Sequence, residues 1–247
     1  MGLGGAGLTR ALALLAVALL TAGCVNTVVG MPTRASRPAA GVAPLEQVLP
    51  TGDEVRTAVG NDLLPEGPPL AGGIDVLPNG IRDDNDAAPI ECIGATATLL
   101  RVAYEKGPVR AAASQTFWNS DLSVAVFSVH AGAVRLASSD AAQRLFASFI
   151  LQWQKCAGTT VTMHTHDSEN TVLYSKVTDV KVDEPILSAT IIDWDNHHTP
   201  QFPNEHAVGV ASDVIVDVKV ADGPGAEAGT RAIDLVKVML RKVSSTN

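Results

Sequence analysis

The segment 140–156 carries the strongest secondary-structure signal in this chain of 247 residues. Apolar side chains recur along it at the spacing of one helical face, namely Ala142, Leu145, Phe146, Phe149, Ile150, Trp153 and Cys156. Ser138 precedes the segment as a candidate N-cap, and Gly158 follows it as a stop signal. The pattern predicts one long amphipathic helix whose Cys156 side chain points into a hydrophobic core.

The first 23 residues have the composition of a secretory signal. Arg10 precedes an apolar run over residues 11–20, which is too short to span a bilayer as a helix. Small residues then lead to Cys24, as in bacterial lipoproteins, whose cysteine thiol receives a diacylglyceryl group before the signal is cut in front of it. We predict lipidation of Cys24 and attachment to the extracytoplasmic face of the cell membrane through at least two acyl chains. An ordinary signal peptide with a coincidental cysteine is the alternative.

Two cysteines remain once Cys24 is assigned to the lipid. Thiols outside the cytoplasm usually pair, so export favours a disulfide between Cys92 and Cys156. In the chain-entropy account, a loop of this length stabilises the fold by about 4 kcal/mol. Two buried free thiols are the alternative that the sequence leaves open.

The rest of the chain fits a linker followed by one folded domain. Residues 24–44 are rich in small residues and proline and predict a flexible linker, and residues 45–247 predict the domain. The formal net charge is −8, and removing Arg10 with the signal makes it −9. Because phosphate binding needs a basic patch, this acidic chain without clustered basic residues predicts no nucleic-acid partner.

Local patterns predict three further helices and a set of strands. The helices are expected at 51–59, where Thr51 and Glu54 form a capping box, at 89–104 and at 226–243. Strands are expected at 110–117, 122–130, 159–165, 171–182, 186–194 and 207–220, with Val76 and Leu77 in one brief further strand. Hairpin-length links dominate the second half, which favours an α+β fold with a central antiparallel sheet and helices packed against it.

Histidine and aspartate clusters are the first places to look for a metal site. His164 and His166 have the i, i+2 spacing that zinc sites use, but no third ligand has a recognisable spacing. If Val161 and Met163 are the buried residues of that strand, both histidines face solvent. Residues 83–86 are acidic but lack the pattern of an EF-hand, which favours a solvated loop that caps the next helix. We predict no metal ligand.

Catalytic motifs are absent from the sequence. Ser212 does not complete a G-x-S-x-G elbow, and there is no phosphate-binding glycine loop. Asp193 and Asp195 flank Trp194 and share one strand face, where they either act together or form a solvated edge. Trp118 and Trp194 are expected near strand ends, lining a cleft or closing the edge of the core. We predict no catalytic or cofactor-binding residue.

Three short motifs, in a fixed order after the lipoprotein signal and linker, resemble a known family. They are the Leu49-Pro50-Thr51 element with Glu54 and Val55, the P-x-x-C element ending at Cys92, and the W-x-x-C-A-G element that starts at Trp153. Over about residues 45–243 the chain resembles the PknH-like extracellular sensor domain of mycobacteria and their relatives.

The resemblance implies an α+β fold with a central antiparallel sheet, a cleft that holds a ligand, and a bond between Cys92 and Cys156. It implies no catalytic residues. The kinase sensor domain has a second cysteine pair, whereas no cysteine follows Cys156 in this sequence. The resemblance therefore does not extend to any part of the cleft that the second bridge would stiffen.

Three functions remain after these observations. The first is a lipid-anchored, non-catalytic sensor domain that binds a small molecule or lipid of the cell envelope, which an apolar cleft with converging polar groups would support. The second is a module that docks onto an envelope protein, which a flat apolar patch would favour. The third is an envelope hydrolase, which would need a buried acid, or a histidine paired with serine or aspartate, in a pocket.

Overall fold

The computed structural model of the chain describes residues 44–121, 123–165, 167–223 and 226–245. The strands within them form one antiparallel sheet of ten strands, and five α-helices pack against it. The predicted α+β class with a central antiparallel sheet is confirmed. The predicted signal (1–23), the lipidation site Cys24 and the linker up to residue 43 lie outside the described residues.

The helices are named in chain order. They are α1 (Gly52–Val59), α2 (Ile93–Thr96), α3 (Arg101–Tyr104), α4 (Ser139–Cys156) and α5 (Arg231–Ser245). Three short 3₁₀ turns precede or separate them, at Leu45–Val48, Ile74–Val76 and Ile90–Cys92. In the part of the chain that the structure describes, no helix combines the length and apolar character needed to cross a membrane.

The strands are named in the same way. They are β1 (Leu64–Pro65), β2 (Leu70–Gly72), β3 (Ala87–Ala88), β4 (Val109–Trp118), β5 (Val126–Leu136), β6 (Thr160–His164), β7 (Val172–Asp183), β8 (Ile186–Asp195), β9 (Phe202–Ala211) and β10 (Val214–Asp222). Their order across the sheet is β1-β4-β5-β10-β9-β8-β7-β6-β3, and β2 also pairs with β4. The last two long strands in the chain therefore lie at the centre of the sheet.

The sheet separates two hydrophobic cores. One core joins α2, α3 and α4 to the sheet and includes the fully buried Trp153, and the other joins α1 and α5 to the opposite face and includes Met239. Alternation along β10 shows the division, because Val216 and its alternate neighbours point towards α5, whereas Ile215 and Asp217 point towards α4. These two faces are called the α4 face and the α5 face below.

Two predicted helices form where local signals place them. Thr51 caps α1, and both hydrogen bonds of the capping box with Glu54 are present. Gly60 closes α1 in the left-handed conformation at φ 83°, which glycine adopts without steric strain. Ser138 caps α4 through the backbone N–H of Ala141, and the predicted apolar face of α4 is buried almost throughout.

The predicted continuous helix at 89–104 is wrong. The chain forms a 3₁₀ turn, α2 and α3 there, and α2 and α3 are separated by a bend and turn over residues 97–100, in which Leu99 has φ 58°. The Leu99 N–H donates to Asp217 Oδ2 at 3.0 Å instead of to a helical carbonyl. A Cβ at Gly132 would overlap the Leu99 side chain, so that glycine makes room for the break. The residues expected on one face of that helix are nevertheless buried, namely Cys92, Thr96, Leu99 and Ala103.

Several strand and helix predictions also need correction. The segment 207–220 forms parts of β9 and β10 rather than one strand, with a turn at Ser212, which has φ 52°. Val76 lies in a 3₁₀ turn, so the brief strand with Leu77 is wrong. The strand predicted at 122–130 begins at Val126 and continues to Leu136, with Leu122 outside the described residues, and α5 begins at Arg231 rather than at 226.

Candidate ligand-binding cleft

A cleft opens on the α4 face, where α2 lies above strands β6, β7 and β8. Its volume is about 260 Å³. Most of its wall is apolar and comes from Ile93, Ala97, Val161, Met163, Leu173 and Phe202. The alternation of β6 and β7 explains this wall, because Val161 pairs with Ser175 and Met163 pairs with Leu173 on one face of the sheet.

A small group of polar side chains converges on this apolar wall. Asp193 Oδ2 accepts a hydrogen bond from Asn204 Nδ2 at 2.7 Å and one from Lys219 Nζ at 3.3 Å. Asp193 Oδ1 is buried and has no hydrogen-bond partner among the described residues. An acceptor held in this way is suited to a hydroxyl or N–H donor of a bound molecule.

A second chamber adjoins the first one. Its volume is about 370 Å³, and it shares Ala97, Asp193, Phe202 and Lys219 with the first chamber. Its remaining wall is more polar and comes from Thr98, Phe127, Ser128, His130, Asn204 and Ala221. The cleft therefore offers an apolar compartment next to a polar one, with the Lys219–Asp193 ion pair between them.

The segment from α2 to α3 forms the roof of the cleft, and the sheet holds it by side-chain hydrogen bonds to its backbone. His206 Nδ1 lies 2.8 Å from the carbonyl oxygen of Ala95. Lys219 Nζ donates to the carbonyl oxygen of Thr96 at 2.9 Å, and Asp217 accepts the Leu99 N–H. Three neighbouring side chains of β9 and β10 thus replace the helical hydrogen bonds that the roof lacks.

His206 and Asp217 form a buried pair beneath the roof, with side chains 0% and 4% exposed. His206 Nε2 lies 2.8 Å from Asp217 Oδ1, so both imidazole nitrogens face acceptor oxygens. Since a bare ring nitrogen would repel a carboxylate, this geometry requires a proton between the two side chains. The Trp153 ring lies against His206, with ring centroids 4.5 Å apart.

Tyr104 completes this buried group. Its hydroxyl donates to Asp217 Oδ2 at 2.7 Å. Burial, and then the neighbouring Asp217 carboxyl group, raise the pKa of Tyr104 well above its usual value, so the hydroxyl remains a donor. The partners of the pair are the roof and the core rather than the cleft, and its arrangement is that of a structural support.

The cysteine prediction agrees with the structure. Cys92 and Cys156 form a disulfide with Cα atoms 5.6 Å apart, which overturns the alternative of two free thiols. The bond joins the turn before α2 to the last residue of α4. Gln152 of α4 also donates to the carbonyl oxygen of Glu91. One end of the roof is therefore fixed to α4, while its middle is fixed to the sheet.

The sequence-predicted histidine and aspartate clusters do not contribute to the cleft. Val161 is buried and His164 is exposed, as expected for that strand, whereas His166 lies outside the described residues. Within the described ranges, no group of histidine, cysteine and acidic residues is arranged to hold a metal ion. Asp84 accepts the backbone N–H of Ile90 at 2.8 Å, so the acidic loop caps the following turn as predicted.

Asp193 and Asp195 share a strand face, as predicted, and both line the cleft. Asp195 accepts the backbone N–H groups of His197 and Thr199, and these hydrogen bonds order the loop after β8. Burial raises the pKa of Asp195, but the hydrogen bonds from Thr199 and His197 outweigh it, so the pKa lies below its usual value. Sequence reasoning missed Lys219 and Phe202. The signal for Lys219 was its place in an otherwise valine-rich strand, on the same side as Asp217.

Comparison with known proteins identifies the fold. The model of the PknH-like extracellular domain family matches residues 40–242. The crystal structure of the extracellular domain of PknH from Mycobacterium tuberculosis superposes with a TM-score of 0.68 at 20% identity, covering 83% of this chain and 100% of that one. At this identity the likeness shows the fold alone.

A second solved structure, an uncharacterized protein from Mycobacterium smegmatis, matches with a TM-score of 0.41 at 10% identity. It covers 84% of this chain and 98% of that one, and a likeness this weak carries no argument. No curated protein matches the chain.

Proposed function

Since the chain belongs to the PknH-like extracellular domain family, we propose that it is a non-catalytic extracytoplasmic sensor domain that binds a small amphipathic ligand in the cleft on its α4 face. The ligand places its apolar part against Met163, Leu173 and Phe202. Its polar part lies beside Asp193 and Lys219 and extends into the second chamber.

The main observation behind this proposal is that Asp193 Oδ1 lies in an apolar wall without a hydrogen-bond partner among the described residues. Ligand sites in proteins are concave, mostly apolar and supplied with a few placed polar groups. The second chamber, at about 370 Å³, falls in the range of small-molecule sites, which starts at about 300 Å³, and the first chamber, at about 260 Å³, is slightly smaller. The positive charge of Lys219 balances the negative charge of Asp193. A neutral ligand with a hydroxyl or amide group therefore suits the place where the two chambers meet.

We also propose that a lipid on Cys24 anchors the domain to the cell membrane. The small residues before Cys24 support this proposal. A coil of some 20 residues reaches about 25 Å on average, so the linker would carry the domain beyond the lipid headgroups. The cleft would then sample the space just outside the membrane.

Native mass spectrometry of the exported full chain tests the cleft. We expect the native mass to exceed the denatured mass by one discrete small molecule. Ser175→Phe places a ring in the cleft and should abolish the added mass, whereas Lys155→Phe, at an exposed position of α4, should retain it. A chain without added mass at every protein concentration, or equal loading of both variants, contradicts the proposal.

An exposed apolar patch supports a second candidate function, docking onto an envelope protein. Leu64, Leu70 and Trp118 are 73%, 59% and 46% exposed, and they are three of the five most exposed large apolar side chains in the described residues. Leu64 pairs with Trp118 across β1 and β4, so both side chains stand on one face. Adjacent exposed apolar side chains, such as Leu64 and Trp118, are typical of interaction sites.

Crosslinking in the envelope tests the docking function. A partner that crosslinks to the unmodified chain should be lost with the double variant Leu64→Ser/Trp118→Ser. Leu151→Ser removes an equally exposed leucine from α4, at 69% exposure, and should leave the crosslink intact. Loss of the crosslink with Leu151→Ser as well, or retention with the double variant, contradicts a role for this patch.

A further inference from the structure

An aromatic pair lies on the α5 face of the sheet, on the side opposite to the cleft. The rings of Tyr174 and Trp194 stack with centroids 5.4 Å apart and planes at 20°. They are cross-strand partners on β7 and β8, and Thr162 of β6 is the next residue in the same row. Both side chains are half-buried, and neither belongs to either hydrophobic core.

Within the described residues, no helix packs chiefly on this part of the α5 face. α5 packs chiefly on β9 and β10, and the main helix contacts of β7 come from α2 and α4, which lie on the α4 face. The aromatic pair is therefore a surface feature of the sheet rather than part of its packing. We call the row of side chains around it the stacking face, which consists of Thr160, Thr162, Tyr174, Lys176, Ile192 and Trp194.

Charge distinguishes the stacking face from the rest of this acidic chain. Lys176 is exposed and has no ion-pair partner among the described residues. Strand alternation places threonines, Ile192 and His164 on the same face, and no carboxylate of β6, of β7 up to Thr178 or of β8 from Thr190 shares it. A chain of net charge −8 thus presents a local surface that suits a partner carrying negative charge.

We propose that the stacking face binds the glycan strand of peptidoglycan. A pyranose ring has a flat face of C–H groups that stacks on indole and phenol rings, and its hydroxyl groups exchange hydrogen bonds with threonine hydroxyls. Lys176 pairs with a carboxylate of the stem peptide or, where a muramic acid residue carries no peptide, with the free carboxylate of its lactyl group. The family places the domain outside the cytoplasm, where this polymer lies.

The glycan site and the cleft face opposite sides of the same strands. By strand alternation the stacked rings of Tyr174 and Trp194 lie on one side, and the side chains of Leu173 and Asp193 lie on the other. Trp194 also lines the cleft, so the two sites share this residue. The glycan proposal does not depend on whether the cleft holds a ligand.

Cosedimentation with purified peptidoglycan sacculi tests the proposal. The full chain is used in a detergent without a sugar headgroup, and the sacculi are first boiled in detergent and treated with protease to remove proteins. We expect the unmodified chain to sediment with the sacculi, and Trp194→Ala to weaken its affinity at least fivefold. Leu151→Ala, which removes an exposed large apolar side chain from α4, should bind unchanged.

A second variant guards against loss of folding. Lys176→Glu changes an exposed side chain and should keep the thermal unfolding of the unmodified chain while weakening the affinity for sacculi at least threefold. Its affinity for chitohexaose, a neutral analogue of the glycan strand, should stay within twofold. The proposal is overturned if the unmodified chain does not sediment, if binding needs sacculi that retain protein, or if Trp194→Ala and folded Lys176→Glu both bind normally.

Discussion

Asp222 shows how a single buried residue links the fold to pH. It lies fully buried at the end of β10, and Arg231 Nη2 is 3.3 Å from its Oδ1. The same guanidinium donates through Nε to Glu205 at 2.7 Å, and Glu205 also accepts the backbone N–H groups of Gly229 and Ala232. Burial, and then the Glu205 carboxylate, raise the pKa of Asp222 to about 7, although Arg231 opposes them.

Asp222→Asn should flatten the dependence of stability on pH. Between about pH 4 and about pH 7, the unfolded chain has lost the Asp222 proton while the folded chain retains it. The free energy of unfolding therefore falls as the pH rises, by up to about 4 kcal/mol from this group. Urea unfolding at pH 5, 6 and 7 should show a smaller fall for the variant, and equal slopes would contradict the assignment.

His206 links the roof segment to the sheet, so truncation of its side chain should lower the stability of the fold. Removing its ring leaves the Ala95 carbonyl and the buried Asp217 carboxyl group each without one hydrogen bond. We expect His206→Ala to lower the free energy of unfolding by about 3–5 kcal/mol, as for other broken buried pairs. His164→Ala on the exposed end of β6 should stay within about 0.5 kcal/mol in the same urea titration. Similar losses for both variants would contradict a supporting role of His206.

At the scale of elements, the roof segment from α2 to α3 is fixed at two places. The disulfide joins one end of it to α4, and side chains of the sheet bind its middle. Cys92→Ser/Cys156→Ser should lower the free energy of unfolding by about 4 kcal/mol, because it frees a loop of 64 residues. Hydrogen exchange should accelerate more at the amides of residues 93–96 than at those of α5. Equal acceleration in both elements would show that the bond stabilises the whole fold without fixing the roof.

Local signals in the sequence were enough to predict α1 and α4, and long-range contacts explain where prediction failed. Thr51, Glu54 and Gly60 specify α1 within a few residues of each other. The break between α2 and α3 depends on Asp217, which is 118 residues from Leu99 along the chain. The turn at Ser212 lacks the glycine or asparagine that usually signals a left-handed residue, so β9 and β10 looked like one strand.

The same reasoning explains how much of the cleft the sequence could predict. Strand alternation alone places Asp193 and Asp195 on one face, and the structure shows that this face forms part of the wall of the cleft. Lys219 reaches Asp193 across β9 because β10 and β8 lie on either side of it. The contact between Lys219 and Asp193 depends on the order of the strands in the sheet, and hydrophobic periodicity in the sequence does not reveal that order.

At the scale of the whole molecule, the sheet acts as a plate between two surfaces of different chemistry. The cleft on the α4 face is apolar and contains a carboxylate paired with Lys219, whereas the stacking face is aromatic and carries Lys176, which has no ion-pair partner in the described part of the chain. A chain that is anchored in the membrane by its N-terminus and also bound to the cell wall would hold the cleft within a limited range of distances from the membrane surface. Anchoring is therefore the property on which the proposed arrangement of the domain in the envelope depends.

Cys24→Ser is the variant that separates anchoring from folding. Two or more acyl chains give stable membrane attachment, so the unmodified chain should remain in the membrane fraction, and the mass of its N-terminal peptide should include diacylglycerol. The variant should lose that mass and leave the membrane fraction. The thermal unfolding of its domain should stay unchanged, because the first described element begins at Leu45, 21 residues after Cys24. An N-terminus formed at another residue, without lipid, would instead support an ordinary signal peptide and remove the membrane from the proposed arrangement.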